Sequence, residues 1–476
     1  MKAKYLLSVS FLVATLIGCK KKELDLYPYN AEETSQAFNT QDDITLAVRG
    51  MYYGIRASGS YYNGTWNIVA DVLADNLIIN QSGRLTQKVY GEWRYQPNAT
   101  YPLFAGGYTM VRRANAILEN IDRFPAGAFH DNAKAEALAI RAMVYFDMSR
   151  VYSKTYVNAG AADSTLPYVT TTESTIKPAK EPVKGFYDKV IADLNLALTL
   201  INADNGTGRL KRTSVAGLLS RVNLYKGDYA ACITASNTAL GATPVLPDIT
   251  TFPSIWTDQT EAGVLFKVYN TAVDNVNTQG VNYYQTVSGA IKSEYVVEYN
   301  FRQLFTAADV RTNTYIRTSA YLGSNYNNVI KYAGGVAGKA LGVVDAKVLR
   351  TAEVLLNRAE AYYMSGNMAA ALVDLNLLKS NRYTGFTPIV GLTGQALLDE
   401  IYKERRLELA FEGDRFWDLK RRNLPVVRDG TKGDKADGTG VPYVFTTLPV
   451  GDKRFLLPFP EAETTVNTNL KQNPGY

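Results

Sequence analysis

Histidine and cysteine are almost absent: one His130 and two cysteines, Cys19 and Cys232, in 476 residues. That scarcity excludes a His/Cys metal cluster and argues against a histidine-based catalytic triad. If Cys19 is consumed by modification, Cys232 has no partner for a disulfide. Its neighbours Ala230, Ala231 and Ile233 mark it as a small core residue. His130 follows Pro125-Ala126-Gly127, and a solvent-exposed place in a connection is expected for it. A strong excess of one sign of charge is also lacking. The net balance is only +6, with no concentrated Lys/Arg face, so nucleic acid is not an expected partner. The leading apolar run, Tyr5 to Ile17, is too short to cross a bilayer.

That run is nevertheless informative. Lys2 and Lys4 precede it, and Leu16-Ile17-Gly18-Cys19 closes it. A basic start, a short apolar stretch and a small residue before cysteine form a bacterial lipoprotein signal. Cleavage before Cys19 would expose its amino group and thiol to acylation. Several acyl chains on one residue give lasting attachment, since each buried methylene contributes about 0.8 kcal/mol. The alternative is an ordinary secretory leader with an incidental cysteine. Lys20-Lys21-Lys22 follow directly and suit anionic headgroups.

Tyrosine is abundant, at 33 residues beside four tryptophans. Such amphipathic rings suit surfaces that grip something partly apolar and partly hydroxylated. Helical periodicity predicts elements at Gln41–Ile55, Met110–Asn120, Asn132–Tyr152 and Val183–Leu200. Between them, Ser58 to Tyr108 mixes Gly, Asn, Ser and aromatics without helical period and reads as long structured loops, where function concentrates. Thr243 to Ala340 is a second aromatic, Asn/Gly-rich region.

Two segments resemble each other when aligned on a glycine. Leu224-Tyr225-Lys226-Gly227-Asp228-Tyr229-Ala230 and Tyr363-Met364-Ser365-Gly366-Asn367-Met368-Ala369 each carry an apolar helix into a Gly-Asp or Gly-Asn turn. This is tetratricopeptide helix-turn-helix logic in copies too far apart for a regular array. Two unrelated hairpins are the alternative.

Glu404, Glu408 and Glu412 recur at four-residue steps on a helix expected over Gln395–Glu412. Like charges so spaced repel unless compensated, and Arg405, Arg406 and Arg415 are near enough in sequence to offset them. Leu398, Ile401, Tyr402 and Leu409 supply an apolar stripe that also carries Arg405, so a docked helix with a partly buried ion network is expected. A glycosidase acid/base pair is the competing reading, but carboxylates one turn apart on one helix are poorly placed to flank a sugar bond. Trp256 and Trp417 adjoin apolar runs and are assigned to the core.

Together these motifs resemble the SusD/RagB family of surface lipoproteins in Bacteroidetes nutrient-uptake systems. The resemblance rests on the Cys19 lipobox and on the ordered segments Ile140–Met148, Leu219–Tyr229, Ala352–Ala361, Glu404–Arg415 and Gln472-Asn473-Pro474-Gly475-Tyr476. It implies a mainly α SusD-like fold, with irregular tetratricopeptide-like hairpins on one side and long ligand-binding loops on another. It further implies residues 1–18 as signal peptide, 19–30 as lipidated tether, and 31–476 as one body with parts at about 31–240 and 241–476. The implied partner is a SusC-like TonB-dependent outer-membrane barrel. The implied ligand is an oligosaccharide or, in other members, a peptide. No catalytic activity, metal or cofactor is implied.

Pyranose faces pack on aromatic rings, and their hydroxyls take planar bidentate partners. The first loop region offers Asp71, Asp75, Asn76, Arg84, Trp93, Tyr95 and Asn98. Similarity to starch-binding members carries the site onto Asp75, Arg84, Trp93 and Asn98. Tyr283, Tyr284, Tyr321 or Tyr326 from the second region could face them. A pure protein-binding scaffold and a glycan-cleaving enzyme are the readings outside this class.

Overall fold

The computed structural model describes residues 37–57, 59–275, 278–336 and 338–476. The expected signal peptide, Cys19 and the tether lie outside the described residues. The chain divides into two units, 1–46 and 47–476, and the second holds nearly all of the described residues.

The fold is mainly helical, and its long helices pack on their neighbours in the chain. In chain order they are α1 (Gln41–Ala57), α2 (Trp66–Leu73), α3 (Leu103–Asn120), α4 (Ala128–Tyr152), α5 (Val183–Leu200), α6 (Arg212–Lys226), α7 (Tyr229–Leu240), α8 (Thr351–Met364), α9 (Met368–Ser380), α10 (Gly394–Glu408) and α11 (Arg415–Arg421). Each long helix from α3 to α7 packs on the next, and α8 packs on α9.

The two glycine-aligned segments are two such hairpins. Gly227 ends α6 at φ +76°, and Gly366 follows α8 at φ +83°, a left-handed conformation that glycine adopts without a Cβ clash. The next residue then caps the following helix: Asp228 accepts the Ala231 N–H and Asn367 the Ala370 N–H, each at 3.1 Å. The copies also touch. Helix α7 packs on α8, and buried Cys232 shares a cluster with Leu224 and Ala361. The hairpins thus stack as neighbouring repeats although more than a hundred residues separate them in the chain. The contact spans the expected division near residue 240.

Strands occupy the intervening segment. Those in it and before it are β1 (Leu77–Ile79), β2 (Val264–Val268), β3 (Gln285–Val287), β4 (Ala290–Lys292), β5 (Tyr295–Val297), β6 (Ile316–Tyr321), β7 (Ser324–Val329) and β8 (Ala346–Arg350). An antiparallel sheet runs β1-β5-β7-β6, with β2-β8 and β3-β4 as separate pairs. The region read from sequence only as aromatic and Asn/Gly-rich therefore contains six of these strands, β2 to β7. Likewise, the loop expected over Ser58–Tyr108 contains α2, whose eight residues are all buried. A helix buried on every side carries no polar face to betray its period.

His130 corrects another expectation. It sits in the first turn of α4, half-buried between Asp122 at 3.0 Å and Asp131 at 2.8 Å. Their carboxylates raise its pKa and offset a cation at a helix N-terminus. Trp256, Trp417 and Cys232 are buried, as read from sequence.

The Glu404–Arg415 segment is a buried ion network with unexpected partners. Glu408 accepts from Arg350 at 2.7 Å and Arg382 at 2.9 Å, with Arg311 at 3.4 Å. Glu404 takes Arg311 at 2.7 Å, Lys379 at 3.0 Å and the Tyr383 hydroxyl at 2.6 Å. Glu412 lies beyond the helix end and takes Arg350 and Lys331. Arg405 and Arg406 turn elsewhere, since each residue rotates about 100° round the helix, and Arg415 belongs to α11. Arg405 binds Asp414 and Asp418, while Arg406 and Arg415 bind Asp75. Burial alone would raise the Glu408 pKa, but Arg382 and Arg350 hold it well below the usual carboxylate range. An enclosed carboxylate held ionised at neutral pH is poorly suited to deliver a proton to a leaving group.

Candidate functional site

The two loop regions singled out in the sequence meet at the four-stranded sheet. The Arg84 main-chain N–H and Nε both donate to buried Glu294, at 2.7 and 2.8 Å. Its Nη2 reaches Asn282 Oδ1 at 3.5 Å. Ser82 and Tyr326 exchange a hydroxyl hydrogen bond at 2.9 Å, and Asn80 donates to the Ser293 carbonyl at 2.9 Å.

Strand register decides which side chains share the face. Arg317 opposes Asn328, Ser319 opposes Tyr326, Val296 opposes Asn328 and Ile78 opposes Val296. Directly paired residues project together, and alternation adds Tyr321 to the set. Near β1 the face is closed, because Tyr443 and Tyr321 pack against Ile78, Val296 and Tyr326. Towards β6 it opens. There Arg317 is exposed and donates from Nη1 to the Tyr284 hydroxyl at 2.8 Å, while Tyr321 is half-buried. Arg84 keeps 45% of its side chain exposed.

The expected site residues therefore separate into groups. Arg84, Tyr284 and Tyr321 border this face with accessible surface. Asn98 is exposed on a single turn, Pro97–Ala99. Trp93 is 3% exposed and gives its Nε1–H to the Leu73 carbonyl at 2.8 Å. Tyr283 is fully buried, stacked on Tyr332 with its hydroxyl on the Asn67 carbonyl. Tyr326 is 4% exposed beneath Tyr443. Rings so enclosed offer no face for a sugar to stack on, which corrects the placement of Trp93, Tyr283 and Tyr326. Asp75 is similarly committed. Burial would raise its pKa, but Arg406 and Arg415, the latter at 2.7 and 2.8 Å through Nε and Nη2, hold it far below the usual range. Of its neighbours, Asp71 and Asn76 are fully buried and bonded to each other at 2.6 Å, and Tyr95 is buried with its hydroxyl on the Arg454 carbonyl.

Arg317 was missed in the sequence reading. The signal was the two-residue alternation Arg317, Ser319, Tyr321, which marks one face of a strand. The open part of the face carries the Arg317–Tyr284 pair and the half-buried Tyr321 ring. Such a set can stack on an apolar sugar face and donate planar, paired hydrogen bonds to hydroxyls.

Comparison with known proteins agrees with this architecture. Residues 23–224 match the family model described as starch-binding, associating with the outer membrane, and residues 266–476 match the SusD family model. The chain belongs to the SusD/RagB family. A SusD-like protein P2 of Formosa agariphila is 24% identical, over 99% of this chain and all of that protein. A second from the same organism, SusD-like protein P38, is 22% identical over 88% of this chain and 92% of its own length. Among solved structures, a putative sugar-binding protein of Bacteroides vulgatus superposes with a TM-score of 0.82 at 25% identity, covering 93% of this chain and all of that one. Surface glycan-binding protein A of Bacteroides fluxus gives 0.71 at 20% identity, over 92% of this chain and all of its own. This SusD/RagB member has no helix among its described residues that is long and apolar enough to cross a membrane.

Proposed function

We propose that this SusD/RagB member binds an oligosaccharide at the cell surface and delivers it to a SusC-like TonB-dependent outer-membrane barrel. The observation that carries the reading is the open end of the sheet face, where Arg317 is hydrogen-bonded to Tyr284 and the Tyr321 ring stays partly accessible. The family model's description, starch-binding and associated with the outer membrane, supports both the ligand class and the location. The leader ending at Cys19 supports a lipid anchor in that membrane. Binding by partly exposed rings and a few hydroxyl contacts is weak and exchangeable, which suits handover. The buried, fully paired glutamates favour capture without cleavage.

The test is calorimetric titration of the mature protein with a panel of maltooligosaccharides, other plant and algal oligosaccharides, and mixed peptides. Saturable binding of one oligosaccharide, weakened by Tyr284→Ala, is expected. Binding of peptides alone would move the protein to the peptide-capturing branch of the family. Release of reducing ends on prolonged incubation would make it an enzyme. Transfer is tested by affinity purification from the outer membrane, which should recover a TonB-dependent barrel.

A further inference from the structure

A cavity of about 610 Å³ opens where the end of α4, the loop after α11 and the final residues of the chain converge. None of its lining residues belongs to the sheet face described above. Lysines dominate its charge. Lys154, Lys180, Lys420, Lys453 and Lys471 line it, against two carboxylates, Asp163 and Asp452. Both carboxylates are already taken: Asp163 by Lys154 at 2.9 Å, and Asp452 by Arg454 at 2.7 Å. The other four lysines form no ion pair with any described residue.

Lys420 is the most telling of them. It is 7% exposed, yet its ammonium has only the Arg150 carbonyl, at 2.7 Å, as a hydrogen-bond acceptor. Three donors on a buried cation ordinarily find a carboxylate or several acceptors, because an unpaired buried charge is costly. Burial and the Arg150 charge pull its pKa well below the ordinary lysine value, the direction expected of a cation without a counter-ion. Lys180 is lowered by burial as well, and beyond the Phe459 ring its ammonium reaches only Asn473, at 3.4 Å. Lys453 donates to the Gly475 carbonyl. The family-typical C-terminal segment builds one wall: the Asn473 side chain donates to the Tyr152 and Leu457 carbonyls, each at 2.8 Å, fixing Lys471 and Pro474 at the rim.

We infer that this lysine-lined cavity is a second binding site, for a small anion bearing carboxylate or phosphate oxygens. A cavity of this size has room for one acidic monosaccharide. Ammonium groups on several separate chain segments suit an anion with oxygens spread around it better than a single halide.

The experiment titrates the full mature chain with sodium glucuronate, glucose and inorganic phosphate at fixed low ionic strength. Saturable binding of glucuronate but not glucose is expected, weakened at least tenfold in Lys453→Glu/Lys471→Glu, two exposed changes that leave the fold intact. Lys420→Met should abolish it, with thermal melting to verify folding. Binding of glucuronate alone assigns a sugar acid; binding of phosphate as well, or alone, assigns a phosphate-like group. The inference fails if neither anion saturates, if glucose binds equally, or if the double variant binds like the parent. It also fails if Tyr284→Ala removes glucuronate binding, since the anion would then sit on the sheet face.

Discussion

The guanidinium of Arg428 lies 4.0 Å from the centroid of the Trp93 ring, with Tyr443 at 4.6 Å. Arg428 also donates to the backbone carbonyls of Val72, Leu73, Ala74 and Gly91, at 2.6 to 3.0 Å. It therefore staples the end of α2 to the turn before Trp93, and the indole is its lid. Trp93→Ala empties a buried site and exposes that staple. A loss of about 3–5 kcal/mol is expected from denaturant unfolding. If the variant instead melts like the parent and loses only glycan affinity, the indole faces ligand after all.

Glu408 satisfies three arginines from three separate segments. Glu408→Gln leaves them with a neutral acceptor inside the core, which should cost about 3–5 kcal/mol at pH 7. The sign of the pH dependence follows from its depressed folded pKa. The stabilisation is complete above the unfolded glutamate value and is lost as pH falls through the folded one. Acid unfolding of the parent should accordingly be steeper than that of Glu408→Gln. Parallel acid-unfolding curves would show that Glu408 does not anchor the network.

Asp71 behaves oppositely. Its Oδ1 accepts from Asn76 at 2.6 Å, while its buried Oδ2 has no hydrogen-bond partner. Burial pushes its pKa up to about 7. Between the unfolded value near 4 and about pH 7 the folded state holds a proton that the unfolded state has released. This one group therefore lowers stability by about 1.4 kcal/mol per pH unit in that window, and the loss stops above it. Asp71→Asn should flatten the decline measured between pH 5 and pH 8. An unchanged slope would mean that Asp71 is ionised in the fold throughout.

These contrasts explain what the sequence could tell. Helix α5 falls where its period places it, at Val183–Leu200. The Gly227-Asp228 and Gly366-Asn367 turns were legible because their chemistry is local: a left-handed glycine, then a cap. Helix α10 was read too long, since Phe411 at φ +66° breaks a run that looks helical in composition. The family motifs located the ion network, but its partners Arg311, Arg350 and Arg382 come from distant segments and carry no local signal. The same limit governs the aromatics. Trp93, Tyr283, Tyr284 and Tyr321 are alike as loop residues, and only tertiary cover, Arg428 over Trp93 and Tyr332 against Tyr283, separates buried rings from accessible ones.

Tyr284 and Tyr321 should thus part company with Trp93 in their mutational behaviour. Each is partly exposed, and the Tyr284 hydroxyl accepts from Arg317 at the protein surface. Tyr284→Ala and Tyr321→Ala should leave the unfolding free energy within about 1 kcal/mol of the parent. Each should weaken the proposed oligosaccharide binding about fivefold or more, as lost aromatic stacking does. Unaltered affinity in both would move the glycan site off this face.

The proposed attachment to the membrane rests on one residue. In Cys19→Ser the acyl chains have no acceptor, and only Lys20-Lys21-Lys22 remain to meet anionic headgroups. Three lysines contribute about 1 kcal/mol each near a charged surface, and salt screens that contribution. Even a single acyl chain holds a protein only marginally, with an association constant on the order of 10⁴ M⁻¹. The parent should therefore partition with membranes and into detergent at 0.5 M NaCl, and carry the added mass of its lipids. Cys19→Ser should fractionate as soluble protein under the same salt. A variant that still sediments with the outer membrane would place the anchor elsewhere in the chain, or would mean that the partner barrel alone retains it.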